Sequence, residues 1–457
     1  MRPGLILTFV GALLFAQPQP LTLADAVDRA LKNYPAVRVS QEQISAAAAS
    51  IQLARTAYLP RIDALAQVNR ATRNNVFGML LPAANIPSVI PSMSGPVIGS
   101  DNFGSAWGSA IGVLVNWEPF DFGLRRATVA VAEASRAESE AREKRTEFEI
   151  AAAAADACLT YLAAGETARA AQAGVERATT IGHTIHALAD AQLRPGADAS
   201  RADAELAAAR TQLIQSEQAA DVARANISRF LGLDPQAIAL HAPKLLELLP
   251  EAAPAPLDPA VNPIALQQNA VVEQARAQLR ALERSYFPRF YLEGAAYARG
   301  TGAETNGHIL GGLNGLAPNY QNYGLGLTVT FPAGDRPALQ AREAAQSAAI
   351  RAETARAQQI AVDLRAQWNA AVAALAGARR IAANTPVAVS AARAASEQAQ
   401  ARYRAGLGNI DAVAESERLL TQAEIDDALA RLSVWRALLA VATAAGDLRP
   451  FLAEASR

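Results

Sequence analysis

Two histidines, His183 and His186, stand three residues apart in a stretch of helical pattern. That spacing puts both imidazoles on one helix face, where they could hold a metal ion. No carboxylate or third ligand clusters with them along the sequence, and a solvated helix face is the favoured reading. The other two histidines, His241 and His308, fall in linker and loop sequence, so no nucleophile–base arrangement is offered. The glycine-rich GHILGGLNG at 307–315 lacks the Lys-Ser/Thr ending of a phosphate-cradling loop. Cys158 is the single cysteine, which excludes an intrachain disulfide and argues against a thiolate zinc site; on an alanine-rich seam it reads as a small apolar packing group. A net charge of −1 gives nucleic acid no electrostatic footprint. The expectation is a non-enzyme with no catalytic residue, cofactor or resident metal. What remains chemically distinctive is charge gathered in two related segments, LRPGADASRADAE (193–205) and YRAGLGNIDAVAE (403–415).

The elements that carry those segments are written twice. TAYLPRIDALAQVN (56–69) ends a helical pattern at a proline and begins an alternating one, and RSYFPRFYLEGAAY (284–297) does the same. From Pro35 to Pro60 is 25 residues, and so is Pro263 to Pro288. The next proline signals, WEPFDFGLRRA around Pro119 and FPAGDRPALQA around Pro332, also correspond. Matching punctuation at one spacing is an internal repeat. The predicted organisation is a signal peptide at 1–16, a first repeat at 17–232, a Pro-rich linker at 233–262, a second repeat at 263–447 and a tail at 448–457. The first repeat holds a strand pair at about 61–117 and a helical hairpin at 124–231. The second holds a strand pair at about 289–331 and a hairpin at 335–445. The signal peptide rests on Arg2 followed by the apolar run Leu5–Phe15, too short to span a bilayer. The absence of a cysteine after it predicts a protein that is not a lipoprotein.

The strands alternate. Trp107, Ser109, Ile111, Val113, Val115 and Trp117 face one way, and Gly108, Ala110, Gly112, Leu114 and Asn116 the other. Tyr323, Leu325, Leu327, Val329 and Phe331 repeat the design against Gly324, Gly326, Thr328 and Thr330. Apolar alternation with aromatics at the ends (Trp107, Trp117, Tyr323, Phe331) suits a transmembrane β-barrel girdle, and taken alone suits a soluble two-sheet core equally. Open edges cannot sit in lipid, so a membrane sheet must close. One chain supplies four strands, two chains would give a barrel filled by side chains, and three would leave a lumen.

The helices are long. Residues 124–193 contain no proline, and alternate steps of three and four from Ala127 to Leu162 meet an alanine-rich apolar seam that only Lys144 breaks. Seventy residues at ~1.5 Å each make a helix of about 105 Å. The second half repeats this over 338–404. Shorter leading helices are predicted at about 36–59 and 264–286, and returning ones at about 198–231 and 409–445. Pro60 and Pro288 then mark helix-to-strand junctions, with Pro119 and Pro332 marking the reverse.

With these elements in order, residues 20–447 resemble the TolC-type outer-membrane efflux protein family. LTLADAVDRALKNYP (21–35) is similar to its opening helix. AYLPRIDA, WEPFDFGLRRA and YRAGLGNIDAVAESERLLTQAEIDDALARL are similar to its junctions and second hairpin. The resemblance implies a mainly α fold with a transmembrane β part: long coiled-coil hairpins forming a periplasmic α-barrel, and four strands per chain contributing to a twelve-stranded barrel in a homotrimer. It implies a passive exit duct in the outer membrane of a Gram-negative bacterium. The partners implied are outer-membrane lipid, a periplasmic adaptor (membrane fusion) protein and an inner-membrane RND or ABC-type pump. It further implies a gate at the two hairpin turns. By motif, Tyr403, Gly406 and Glu415 match the second turn, with Asp411 one residue early. Gly408 stands where an arginine is usual, which Arg404 or Arg402 could replace. In the first turn the counterparts are Gly196 and Asp203, near Arg194, Asp198 and Arg201. Under threefold symmetry the acidic residues would form rings favouring cations, or would simply solvate a turn. The rival reading from another class is a periplasmic or surface coiled-coil scaffold without a pore.

Overall fold

The computed structural model describes residues 21–72, 105–240, 257–302 and 308–456, together with residues 245, 254 and 304. The predicted signal peptide at 1–16 and most of the first strand-connecting loop (73–104) lie outside the described residues. The elements run α1 (Leu23–Asn33), α2 (Pro35–Thr56), β1 (Arg61–Thr72), β2 (Ser105–Phe120), α3 (Leu124–Asp190) and α4 (Gly196–Leu231). After short 3₁₀ turns come α5 (Pro263–Arg284), β3 (Arg289–Thr301), β4 (Tyr320–Thr330), α6 (Arg336–Arg404), α7 (Ile410–Ala445) and α8 (Arg449–Ser456).

Packing groups these elements into two compact units, and neither is a repeat. One comprises Met1–Glu42, Glu140–Asn269 and Ala355–Arg457, the other Gln43–Ser139 and Ala270–Thr354. Each draws on both repeats. The second unit contains the sheet, antiparallel throughout in the order β1-β2-β3-β4, which leaves β1 and β4 at its edges.

The first unit holds the main hydrophobic core. Leu23, Val27 and Ala30 of α1 meet Ala155, Cys158 and Leu159 of α3, Ile227 and Leu231 of α4, Trp435 of α7 and Phe451 of α8. Burial of the Cys158 thiol pushes it up to about 12, which keeps it protonated and inert, as an alanine-seam position requires. α3 and α7 each contain a window apolar enough to cross a bilayer by length and composition. In α7 that apolarity is spent on packing, since Val434, Trp435, Leu439 and Val441 are all buried.

The two repeats end their return helices with one device. Gly232 and Gly446 adopt left-handed φ of 62° and 84° after α4 and α7. An asparagine just ahead of α2 or α5 then donates its amide to a carbonyl freed there. Asn33 Nδ2 reaches the Leu231 carbonyl at 3.3 Å, and Asn262 Nδ2 the Ala444 carbonyl at 3.1 Å. These carbonyls are among those a helix cannot satisfy internally. α6 holds Pro386 inside a continuous helix, in keeping with the long helix expected over 338–404. The ring removes one backbone donor, and the Thr385 hydroxyl bonds the Ala382 carbonyl at 3.4 Å.

Candidate membrane surface and gate

Strand register decides which side chains share a face of the sheet. Ile62, Ala64 and Ala66 pair with Val115, Val113 and Ile111. Val113, Val115 and Trp117 pair with Ala296, Gly294 and Leu292, and Leu292, Gly294 and Ala296 with Leu327, Leu325 and Tyr323. Because side chains alternate, these residues form one continuous apolar face across all four strands. Ile62, Ile111, Leu325 and Leu327 on it are exposed, Leu325 at 79%. The opposite face carries Arg61, Asp63, Gln67, Asn116, Glu293, Thr328 and Thr330. Two of the four girdle residues are placed differently from the sequence reading. Tyr323 lies opposite Ala296, which lies opposite Val113, so it stands at the middle of β2 rather than level with Trp107. Trp107 is half-buried, with the Arg70 guanidinium 5.3 Å from its ring. Trp117 and Phe331 are exposed at the helix-facing end.

At that end a cluster of aromatics went unread in the sequence. Phe120 meets Phe122 and Phe290 with ring centroids 4.6 and 6.1 Å apart, and Phe122 stacks on Phe287 at 5.3 Å. The FPRF and PFDF segments could have signalled it. The junction prolines behave unequally. Pro60 and Pro288 immediately precede β1 and β3, and Pro332 follows β4. Pro119 instead lies within the last residues of β2, where the register shifts between Trp117 and Phe120; an irregular strand end tolerates a residue with no donor. The turn into α3 passes through Phe122 and Gly123 at φ of 50° and 91°. Asp121 accepts from the backbone of Gly123 and Arg125 at 3.1 and 2.5 Å and from the Arg125 guanidinium at 3.0 Å. Burial opposes its charge, but these bonds outweigh burial and hold the carboxyl below its ordinary value. Arg125 also bonds the Ala57 carbonyl at 3.2 Å and lies 4.8 Å from the Tyr58 ring, tying the end of α2 to the start of α3.

The two hairpin turns meet through Tyr403, which is 3% exposed. Its ring packs with Ile185, Ala199, Ala202, Ile410 and Val413. Its hydroxyl donates to Asp198 Oδ2 at 2.8 Å. The Arg194 guanidinium lies 4.3 Å over the ring and donates to the Tyr403 carbonyl. Burial, then the bond to Asp198, push the phenol up to about 12. The first-turn partner of Tyr403 is therefore Asp198. Asp203 lies 2.9 Å from His186 Nε2, which supplies the carboxylate that sequence proximity had not revealed, since the two stand 17 residues apart on α3 and α4. That bond and the carboxylate's charge raise the His186 pKa. Among the described residues no group of three metal-ligating side chains occurs.

Gly406 has φ of 78°, which closes the second turn, whereas the left-handed residue of the first turn is Gln192 at 57°. Gly196 opens α4 in unhindered space, so no steric need for glycine exists there. Asp411 and Glu415 are exposed, at the ends of an ionic chain between α4 and α7. Asp411 is 3.6 Å from Arg201, Arg201 is 3.1 Å from Glu205, Glu205 is 3.5 Å from Arg418, and Arg418 is 3.3 Å from Glu415. Arg404 bonds only Gln400 of its own helix among the contacts described. Along the same helices, Arg177 of α3 reaches Glu417, Thr421 and Glu424 of α7 at 3.1, 2.8 and 3.0 Å. Ser396 and Gln400 of α6 donate to the same Glu417. Gly174 lets the helices approach there, because a Cβ on it would lie 2.9 Å from the Thr421 hydroxyl.

A sheet with one apolar exposed face, on a chain that writes a helical hairpin twice, is the design of an outer-membrane channel subunit. The family model described as outer membrane efflux protein matches residues 26–233 and 261–447, and the chain belongs to that family. Its members are channels rather than an enzyme class. Among solved structures the chain is similar to the outer-membrane channel OprN (21% identity, TM-score 0.71, covering 93% of this chain and 89% of that one). It is also similar to the outer membrane protein VceC from Vibrio cholerae (16%, 0.69, 93% and 96%). A third is the CmeC outer membrane channel of Campylobacter jejuni (14%, 0.72, 100% and 98%). No curated protein matches the sequence.

Proposed function

We propose that three copies of this chain close a twelve-stranded barrel in the outer membrane, with their helices enclosing a periplasmic duct. Through it a periplasmic adaptor and an inner-membrane RND or ABC-type pump would expel small molecules or proteins. The observation that carries this reading is the continuous apolar face on a sheet whose β1 and β4 edges have no strand partner among the described residues. Unpaired backbone groups cost several kcal/mol each in lipid, so sibling copies must complete the ladder. The protein supplies no energy; it supplies a path and a closure.

The closure we assign is the Tyr403–Asp198–Arg194 clasp, which fastens the second hairpin to the turn of the first. Opening requires those helices to part, and docking of the adaptor would favour the parted state by binding it more tightly. Asp411 and Glu415, exposed beside the clasp, would ring the constriction in a trimer and favour cations. The test is mass measurement in mild detergent with conductance in planar bilayers. A three-copy particle with a small resting conductance is expected, and a stable one-copy particle overturns the reading. Glu415→Ala should raise conductance and weaken cation preference; no change in either removes Glu415 from the gate.

A further inference from the structure

The two repeats pair an arginine with a tyrosine at the sheet end of their helices, but only one of these arginines has its charge met. In the first repeat Arg125 lies over Tyr58, is buried, and is bound by the Asp121 carboxylate and the Ala57 carbonyl. In the second, Arg336 lies 5.8 Å from the Tyr286 ring, is exposed, and has no carboxylate partner among the described residues. Arg284, one turn before the β3 junction, is likewise exposed; it lies 5.8 Å from the Phe287 ring and has no carboxylate partner among the described residues. Their sequence neighbours Glu283 and Asp335 form no ion pair with them.

The position of Phe287 fixes which side this is. It stacks on Phe122, which contacts Phe290, and Phe290 belongs to the same face of β3 as Leu292. The aromatic cluster therefore continues the apolar face of the sheet toward the helices, and Arg284 sits at its rim. A cation held over an aromatic ring at the border of a lipid-facing surface lies at headgroup depth. Guanidinium groups match phosphate with paired donors. We propose that Arg284 and Arg336 bind the phosphate of anionic phospholipid headgroups in the leaflet nearest the helices. This rests on the reading that the apolar face lies in lipid.

The experiment is native mass spectrometry of the full-length protein released from micelles carrying phosphatidylglycerol or phosphatidylcholine of matched acyl chains. Retention of phosphatidylglycerol in preference to phosphatidylcholine is expected. Arg284→Gln with Arg336→Gln should weaken that retention roughly tenfold. Arg284→Lys with Arg336→Lys should keep part of it, and Arg365→Gln, an exposed arginine well along α6, all of it. Equal retention of both lipids, or a double glutamine variant that holds phosphatidylglycerol like the wild type, overturns the inference. So does displacement of the lipid by millimolar inorganic phosphate, which would mark a free-anion site. Conductance in phosphatidylcholine bilayers separates the two readings. A conducting wild type without headgroup preference sinks this inference alone, whereas one that neither inserts nor conducts sinks the channel.

Discussion

Individual side chains set the properties of the clasp. Tyr403→Phe keeps the ring against Arg194 and deletes the hydroxyl bonded to Asp198. A cost of about 1 kcal/mol is expected for that bond, read as a several-fold rise in resting conductance. Because the folded pKa of Tyr403 is raised, to about 12, its hydroxyl contributes fully below pH ~10 and fails only as pH climbs through about 12. His186 behaves with the same sign in a physiological range. Its raised pKa makes the tie to Asp203 strongest below the ordinary value of 6.5 and lost as pH rises through the folded value. An NMR titration should place the His186 imidazole above 6.5, and Asp203→Asn should return it toward 6.5. At this scale the sequence was only partly legible. Tyr403 and the charged turn could be picked out by motif. Whether Asp198 or Asp203 meets Tyr403 depends on how one hairpin slides along the other, and no spacing within either hairpin encodes that. The Arg177–Glu417–Glu424 network was hidden for the same reason.

Secondary elements were read more easily, because their signals are local. Alanine periodicity and paired prolines placed both long helices and all four strands, with ends displaced by a few residues. Pro386 shows why proline is weaker evidence inside a long helix: packing along both flanks holds α6 together across one missing bond. Pro119 shows the converse, since a strand can end irregularly and include it. The return-helix caps allow a graded test. In Gly446→Ala the new Cβ would lie 2.7 Å from Asn262 Cα in addition to the left-handed φ, whereas in Gly232→Ala the nearest atom is Asn33 Cβ at 3.7 Å. Gly232→Ala should cost about 1 kcal/mol. Gly446→Ala should cost clearly more, as a lower midpoint in denaturant unfolding.

For the whole molecule, the two faces of the sheet make opposite demands. Leu325→Arg places a charge on the exposed apolar face and should cost about 2–4 kcal/mol in the bilayer, read as loss of heat-modifiable migration. Thr328→Arg, on the opposite face of the same strand, should insert normally and alter ion preference instead. Equal effects would mean that the sheet does not divide lipid from lumen. Alternation in the sequence had suggested these faces strand by strand. Only the register joins them into one surface, and it also moves Tyr323 away from the level of Trp107.

The principal core joins Leu23 and Val27, near the start of the described chain, to Leu448 and Phe451 near its end. A chain threaded across a membrane from its amino end therefore exposes α1 long before α8 arrives to cover it. Premature termination anywhere before residue 448 leaves α1 with its α3 and α4 neighbours but without the cover of Leu448 and Phe451. A core closed only by the last residues makes truncated products less stable than the full chain, and they should be degraded rather than assembled.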